Sequence, residues 1–481
     1  MKVSTRLAAL AALLATVGCA VAPLQDATDG TIDRVQGRAA VTLAWPPEAE
    51  PAADAPEIAE PLTLAAALAI AFERNADIRR QYARLGIAHG DLRDAARIAN
   101  PTLSLAWLDP EAGGQDKTTQ GISASFTDLL LLPARRRLSE AEFRRMELEV
   151  GGALVALARQ VESAWYGYVG AQQVEALRAA VADAASQEAK LAKRFFEAGN
   201  ITRLQLDRQA AAAARAEVEA LRARSEAAES RAQFANLLGL STTGSWRTVD
   251  RLSTPPESDP PTQALVESAL AQRLELASVR AEVAVLEDSL GVTRGWRLLG
   301  SVEAGYEWER ETDGTKLRGP TLTLELPIFN QGQGAVARAE GQLLDARARA
   351  DALALAVENE VATGVRRLAL AREVSERYRL EWVPAAASAV DRQQERFNYM
   401  LVGAFDLVQA KRDQYDAWQG YLESIRDYWL ARSALRAATG GLLPGDTDTL
   451  APAAGPADIL PAPAPDEPPA QQHEHHGEHQ S

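Results

Sequence analysis

Apolar and polar residues alternate strictly in two short stretches of the first half of the chain and in two of the second half. Leu103, Leu105 and Trp107 share one side of an extended backbone, as Tyr306 and Trp308 do later in the chain. A period of two indicates a β-strand with one apolar face and one polar face. The alternation predicts strands at about 101–108, 121–130, 298–309 and 317–329.

Between these stretches the apolar positions recur every three or four residues. Leu154, Val161 and Trp165 follow this spacing in the first half, and Val357 and Val361 follow it in the second. The spacing predicts helices over 134–196 and 334–382, about 95 Å and 73 Å long at 1.5 Å per residue. Helices of this length with a coiled-coil-like seam are expected to fold back on each other as long antiparallel hairpins.

The same order of elements occurs twice, which indicates an internal duplication. Each repeat reads as a helix, two short strands, a very long helix, a turn and a second long helix. Repeat 1 covers residues 62–240, and repeat 2 covers residues 262–442. The predicted fold class is mainly α with a small β part, built from a duplicated strand–helical-hairpin unit.

Four alternating strands fit either a half-buried soluble sheet or a membrane-spanning one. Aromatic residues near the strand ends and a strand length near 9–11 residues favour the membrane. A sheet in lipid must close, and four strands are too few to do so. We therefore expect three copies to pool their strands into a closed, 12-stranded membrane barrel. Its lumen would be lined by Glu303, Glu307, Glu309 and Glu325.

The N-terminus has the pattern of an exported lipoprotein. Residues 1–18 combine a basic start with an apolar run that is too short to span a bilayer. Cys19 follows directly and is the only cysteine of the chain. Cys19 is then either a free thiol beside a cleavage site or the acylated first residue of the mature chain. We expect Cys19 to carry the lipid and residues 19–61 to form an extended tether behind it. Elsewhere no stretch of sequence reaches the ~20 apolar residues of a transmembrane helix.

The composition excludes several classes of function. The net charge of −15 gives no basic footprint for nucleic acid. No catalytic triad, paired acid or phosphate-binding loop is present in the sequence, so we expect neither an enzyme nor a required cofactor. Residues 443–481 are rich in Pro and Ala and end in a His-rich segment that is predicted to be disordered. Its His473, His475, His476 and His479 could bind a divalent metal weakly, or could simply be solvated.

Several segments resemble one family. Residues 324–332, Leu-Glu-Leu-Pro-Ile-Phe-Asn-Gln-Gly, are similar to the junction between strand and helix in the TolC family of outer-membrane efflux proteins. Residues 198–204 and 396–407 resemble the two turns at the hairpin tips, the second in the form found among copper and heavy-metal members. The resemblance covers nearly all of residues 62–442.

The resemblance implies a passive homotrimeric conduit, with a β-barrel in outer-membrane lipid that continues into a long α-helical barrel through the periplasm. Its implied partners are a periplasmic adaptor and an inner-membrane pump of the resistance-nodulation-division type. Its implied cargo is heavy-metal ions, such as copper, or drugs. The alternative is a periplasmic helical adaptor or a metal-buffering lipoprotein.

The resemblance also implies roles for residues at the hairpin tips. The adaptor would be contacted by Gly199, Asn200, Thr202, Val402 and Gly403. The periplasmic gate would include Asp406, Gln409 and Asp207. Asp406 could instead serve only as an acidic residue at a helix N-terminus, or could do both.

Overall fold

The computed structural model describes residues 29–39, 61–109, 111, 115–256, 258, 261–443, 446 and 450–459. Cys19 and the four tail histidines lie outside these residues, so their roles stay predictions. No helix of the described part combines the length and the apolar character that a bilayer-spanning helix requires.

The described elements repeat in the predicted order. The first half contains α1 (Asp29–Ala39), α2 (Leu64–Arg74), α3 (Ala76–Ala95), β1 (Thr102–Leu108), β2 (Lys117–Ser125), α4 (Phe126–Glu197) and α5 (Arg203–Leu238). The second half contains α6 (Thr262–Gln272), α7 (Leu274–Trp296), β3 (Val302–Arg310), β4 (Lys316–Leu324), α8 (Gln333–Arg377), a π-helical turn (Tyr378–Trp382), α9 (Val383–Asn398), α10 (Ala404–Thr439) and the short α11 (Pro456–Ile459). The mainly α fold with a small sheet is therefore confirmed.

The long helix of repeat 1 begins earlier than the sequence pattern predicts. α4 starts at Phe126, so residues 126–130 are helical and do not extend the second strand. The Ser125 hydroxyl accepts a hydrogen bond from the Asp128 N–H at 3.1 Å, and Asp128 lies in the first turn, where a negative charge is favourable. The strand-like apolar run at this junction was misleading because a capping residue precedes it.

The strands of repeat 2 are also displaced from their predicted positions. β3 begins at Val302 rather than near residue 298, because α7 continues to Trp296. β4 spans Lys316–Leu324, and residues 325–329 are not in a strand. Gly332 then has φ +76, a left-handed conformation that glycine adopts without strain, and α8 starts at the next residue.

The main core lies where the two hairpins meet α2 and the segments that follow each repeat. It contains a cluster of aromatic side chains from both repeats. Tyr166 of α4 stacks on Trp429 of α10 with ring centroids 5.2 Å apart, and Trp246 packs edge-on against Phe234. Such pairs add to the free energy gained by burying the rings. The two repeats therefore share one core.

The described parts of the two terminal segments are ordered, contrary to the sequence interpretation. α1 packs on α4 and buries Val35 completely. After repeat 2, Leu443 is buried, and Pro452 pairs with Ser253 in an isolated antiparallel bridge. The predicted extended tether is wrong for residues 29–39, and the predicted disorder is wrong for residues 443, 446 and 450–459. Apolar residues that find the core outweigh a Pro- and Ala-rich composition.

Candidate channel surfaces

The four strands form one antiparallel sheet in the order β1-β2-β3-β4. β2 pairs with β3 across the repeats, so each repeat contributes one hairpin to a shared sheet. Among the residues that the structure describes, β1 and β4 each pair with one strand only, so both edges of the sheet are open. Open edges offer unpaired N–H and C=O groups to a further strand.

One face of the sheet is apolar and exposed. Directly paired residues point to the same face, and Leu103 pairs with Ile122, which in turn pairs with Tyr306. The face is completed by Leu105, Trp107, Ala124, Val302, Ala304, Trp308, Leu322 and Leu324. All its leucines, and Trp107 and Trp308, are exposed in the single chain. An apolar patch of this extent is typical of a protein or membrane contact.

The opposite face is polar. The register places Glu303, Glu307 and Glu309 there, beside serine, threonine and glycine residues of the neighbouring strands. Glu309 forms an ion pair with Lys117 of β2, which also contacts Glu311 at 3.3 Å. Part of the negative charge on this face is therefore already neutralised within the chain.

Glu325 lies one residue beyond β4. Its N–H donates to the Ser301 carbonyl at 2.9 Å, and its carboxylate accepts from the Ser301 hydroxyl at 3.1 Å. These bonds continue the β3–β4 register by one residue, so Glu325 falls at the helical end of the polar face.

The first hairpin tip joins α4 to α5 through a tight turn. Gly199 has φ +75, and the Asn200 N–H donates back to the Phe195 carbonyl at 2.8 Å. The Thr202 hydroxyl accepts from the Gln205 N–H, while the Gln205 side chain accepts from the Thr202 N–H at 2.8 Å. This reciprocal capping box fixes the start of α5.

The second tip reproduces the backbone of the first with different residues. Met400 takes the left-handed position with φ +56, and the Leu401 N–H donates to the Arg396 carbonyl at 2.9 Å. Gly403 precedes α10 where Thr202 precedes α5. Tyr399, Met400 and Leu401 are 77%, 93% and 69% exposed, so the second tip presents three large apolar side chains to solvent.

The structure separates the three residues predicted for the gate. The Asp406 carboxylate accepts a hydrogen bond from the Gly403 N–H at 3.1 Å, so Asp406 caps α10. Its counterpart in repeat 1 is Gln205, since each is the third residue of its helix, and Asp207 lies two residues further on. Asp207 pairs with Arg203 at 3.0 Å. Gln409 donates to Asp413 at 2.8 Å and borders the groove between α10 and the first hairpin.

Ionic contacts join the tip region of α10 to the first hairpin. Arg412 of α10 donates to Glu188 of α4 at 3.1 Å and to Gln209 of α5 at 3.0 Å. Arg178 of α4 contacts Glu219 at 2.9 Å and Asp416 at 3.4 Å. Arg412 and Arg178 thus hold one helix of repeat 2 beside the hairpin of repeat 1.

A buried charge cluster, which the sequence analysis missed, ties the two repeats together near the core. Arg432 and Arg436 of α10 both bind the Asp446 carboxylate, and Arg436 also pairs with Glu162 of α4. Burial lowers the pKa of Arg436, but the attraction of Glu162 and Asp446 outweighs it, so the pKa lies above the usual guanidinium value. The two arginines are spaced like a solvated helix face, and Asp446 follows in a stretch rich in Gly and Pro, so no sequence signal indicated this cluster.

Residues 265–441, nearly all of repeat 2, match the outer membrane efflux protein family. Repeat 2 is therefore similar to this family. The cobalt-zinc-cadmium resistance protein CzcC of Cupriavidus metallidurans is 23% identical over 389 residues, which are 79% of this chain and 90% of CzcC.

Solved structures of similar fold extend the match to both repeats. The CmeC outer membrane channel of Campylobacter jejuni superposes with a TM-score of 0.69 at 14% identity, covering 84% of this chain and 95% of CmeC. A CusC structure superposes with a TM-score of 0.65 at 15% identity, covering 79% of this chain and 92% of CusC. The fold is thus that of the TolC-type channels, in which a strand region continues into long helices. The family is one of outer-membrane transport proteins, not of enzymes.

Proposed function

We propose that this chain forms the outer-membrane exit duct of a tripartite efflux system and works as a homotrimer. The observation that carries the proposal is the four-stranded sheet, which has one exposed apolar face, one polar face and two open edges. Lipid favours the apolar face, but it cannot satisfy the N–H and C=O groups of the edges. Joining β4 of one copy to β1 of the next solves this problem, and three copies then make a closed ring of twelve strands.

Pro320 of β4 is consistent with this assembly. It lies opposite Tyr306, in a pair without mutual hydrogen bonds, since the Ser301–Glu325 and Glu311–Thr315 bonds fix the alternation. Proline therefore removes one donor from the outer edge of the sheet and none from the β3 side. The edge can still pair with a matching strand, but it is a poorer template for unrelated ones.

Disulfide trapping tests the trimer directly. We would replace Cys19 with Ala, which leaves no other cysteine, and introduce Ser104→Cys in β1 together with Thr321→Cys or Thr323→Cys in β4. Within one chain these strands are separated by two others, about 14 Å across the sheet, which is beyond the ~7 Å reach of a disulfide. Oxidation is therefore expected to give covalent dimers and trimers but no larger species.

The control is each single-cysteine variant, which should stay largely monomeric on a denaturing gel. Membrane extraction of the Cys19→Ala protein separates the duct from the lipoprotein scaffold considered as an alternative. The duct should still need detergent, whereas the scaffold should be released by alkaline carbonate. Release of the protein, or monomers alone at every cysteine pairing, would overturn the proposal.

The tips are proposed to contact a periplasmic adaptor that links the duct to an inner-membrane pump. The exposed apolar group Tyr399, Met400 and Leu401 supports this role, because solvent exposure of three adjacent large apolar side chains is unfavourable without a partner. The five predicted contact residues, from Gly199 to Gly403, form or flank the same two turns.

The proposed cargo is a divalent heavy-metal ion. The similarity to a cobalt-zinc-cadmium resistance protein supports this class, and Glu303 and Glu307 on the polar face suit a cation path. Growth of a deletion strain on plates with cobalt, zinc, cadmium or copper, compared with drug plates, tests the assignment. Selective sensitivity to metals is expected, and sensitivity to drugs alone would contradict it. Lipidation at Cys19 and weak metal binding by the His tail remain part of the proposal.

A further inference from the structure

Three cations lie at the hairpin end of the apolar face of the sheet. Arg310 at the end of β3 pairs directly with Lys316 at the start of β4, and Arg318 pairs with Trp308. Since Trp308 belongs to the apolar face, Arg310, Lys316 and Arg318 project on the same side as the exposed leucines. We call these three residues the basic rim.

The basic rim lacks counter-charges within the described part of the chain. All three side chains belong to exposed residues, and no carboxylate of that part forms an ion pair with them. The nearby acids Glu309 and Glu311 are directed to Lys117, whose strand position is on the polar face. The two faces therefore differ at the same height: the polar face neutralises its lysine, whereas the apolar face keeps three positive charges in a chain of net charge −15.

The surroundings of the basic rim suit a phosphate that is attached to a lipid. The three cations line a shallow groove together with Thr118, Gln120, Trp308, Leu317 and Glu309. The one carboxylate among these residues, that of Glu309, is neutralised by its ion pair with Lys117. Arginine binds phosphate oxygens through two parallel N–H donors, and the amide and hydroxyl add neutral donors. The apolar face extends from Trp308 to Val302, about 20 Å at 3.3 Å per residue, so acyl chains have a surface beside the charges. Free phosphate would gain nothing from that surface.

We propose that the basic rim binds the phosphate groups of an anionic glycolipid in the outer leaflet. This inference rests on the proposed function, which puts the apolar face in lipid. It commits to a lipid headgroup because charge and apolar surface occur together, with a tryptophan between them where the interface would lie. The bound lipid would fix the depth and rotation of the sheet at its hairpin end.

The test uses the full-length protein, purified in detergent, and a variant with Arg310→Gln, Lys316→Gln and Arg318→Gln. Binding of lipid A, a bisphosphorylated glucosamine lipid, is measured by native mass spectrometry and compared with phosphatidylcholine and inorganic phosphate. The wild-type protein should bind lipid A most tightly. The triple variant should bind it at least about tenfold more weakly, since each lost charge-assisted bond is worth about that factor.

The matched control replaces Arg208, Arg222 and Arg224 with Gln. It removes three exposed cations of α5, away from the sheet, and should leave lipid A binding unchanged. If the triple variant does not fold, wild-type binding measured against salt replaces it. Affinity should fall as sodium chloride rises, because exposed charges are screened.

The inference would be overturned if the triple variant bound lipid A as tightly as the wild type does. It would also be overturned if the wild type bound phosphatidylcholine as tightly as lipid A. So would tighter binding of inorganic phosphate, which would identify a free-anion site. Both proteins are also tested for membrane insertion and ion conductance. If both insert and conduct but bind lipid equally, the inference fails and the exit duct stands; if the wild type does neither, the proposed function fails.

Discussion

At the end of each repeat, an arginine of the last helix binds the chain segment that follows, but the two arginines bind different kinds of partner. Arg231 of α5 and Arg432 of α10 each lie about two turns before a glycine that ends the helix, Gly239 and Gly440. Both arginines bind the chain segment that follows. Arg231 donates to the Gly244 carbonyl at 2.7 Å and lies 3.8 Å from the ring centroid of Trp246. Arg432 instead binds the carboxylate of Asp446.

The difference follows from burial. Arg432 is only 1% exposed, and the Asp446 side chain is 2% exposed. A fully buried guanidinium needs an opposite charge, whereas a half-buried one can keep neutral carbonyl and ring partners beside water. Repeat 2 adds a second arginine, Arg436, where repeat 1 has Ala235, and Glu162 of repeat 1 completes the cluster. The ionic arrangement therefore joins the repeats, while the neutral one closes a single repeat.

The two hairpin tips have the same backbone conformation but different side chains. The left-handed position is Gly199 in one and Met400 in the other. The residue before the second helix is Thr202 in one and Gly403 in the other. Repeat 1 therefore has the residues that its turn favours, and repeat 2 accepts strain at its tip. An exposed methionine in a strained position is expected where contact with a partner matters more than stability.

The largest effect is expected for Asp446→Asn. The change leaves two buried guanidiniums with one fewer negative charge and should destabilise the protein by about 3–5 kcal/mol. Thermal unfolding followed by circular dichroism in detergent measures the loss. The matched control is Asp458→Asn, in the same C-terminal segment as Asp446, because the ion pair of Asp458 with Arg251 is partly exposed. This variant should unfold almost like wild type. Equal behaviour of the two variants would remove the distinction between buried and exposed pairs.

Lysine substitutions at the equivalent arginines compare the two arrangements directly. Arg432→Lys loses forked bonds to a buried carboxylate and should cost about 1.5–3 kcal/mol. Arg231→Lys loses ring contact and carbonyl bonds near water and should cost about 1 kcal/mol. Unfolding temperatures of both variants, measured in parallel, give the order. A larger loss for Arg231→Lys would reverse the conclusion drawn from burial.

Reciprocal changes at the left-handed tip position test the proposed strain. Met400→Gly should stabilise the second tip by about 1 kcal/mol, and Gly199→Ala should destabilise the first by a similar amount. Amide hydrogen exchange of the tip segments should slow about fivefold in the first variant and quicken in the second. Met400→Gly should also weaken adaptor binding, since it removes an exposed apolar side chain. Faster exchange in Met400→Gly would show that no strain is stored there.

The smallest structural change is at the third residue of the second tip helix. Asp406→Ala removes the bond to the Gly403 N–H and a negative charge, and ion leakage through reconstituted trimers should rise. Asp406→Asn keeps an oxygen acceptor and should leak less than the alanine variant if capping contributes. Gln205→Ala removes the corresponding cap of the first tip without a charge and is the control. Unchanged conductance in both Asp406 variants would exclude this residue from the gate.

The sequence pattern was sufficient to predict those features of the fold that depend only on the local backbone geometry. Alternation at Leu103–Trp107 and Tyr306–Trp308 determined which side chains share a face, because successive residues of any strand point to opposite sides. The positions of the tips and the order of elements in both repeats were equally local. The boundaries of the strands and helices were harder to predict. Ser125 caps the start of α4, so the apolar run that follows it is helical, although its pattern had been interpreted as a strand.

Long-range pairing was decided only by the tertiary structure. The sequence could not show that β2 pairs with β3 across the repeats, or that Asp446 returns to meet Arg432 and Arg436. Nor could it show that Lys117 binds Glu309 and Glu311, while no carboxylate of the described residues forms an ion pair with the basic rim. The physical reason is that the period of a segment reports its own backbone, whereas the partner of a charge or a strand edge depends on which distant segment the packed core brings beside it.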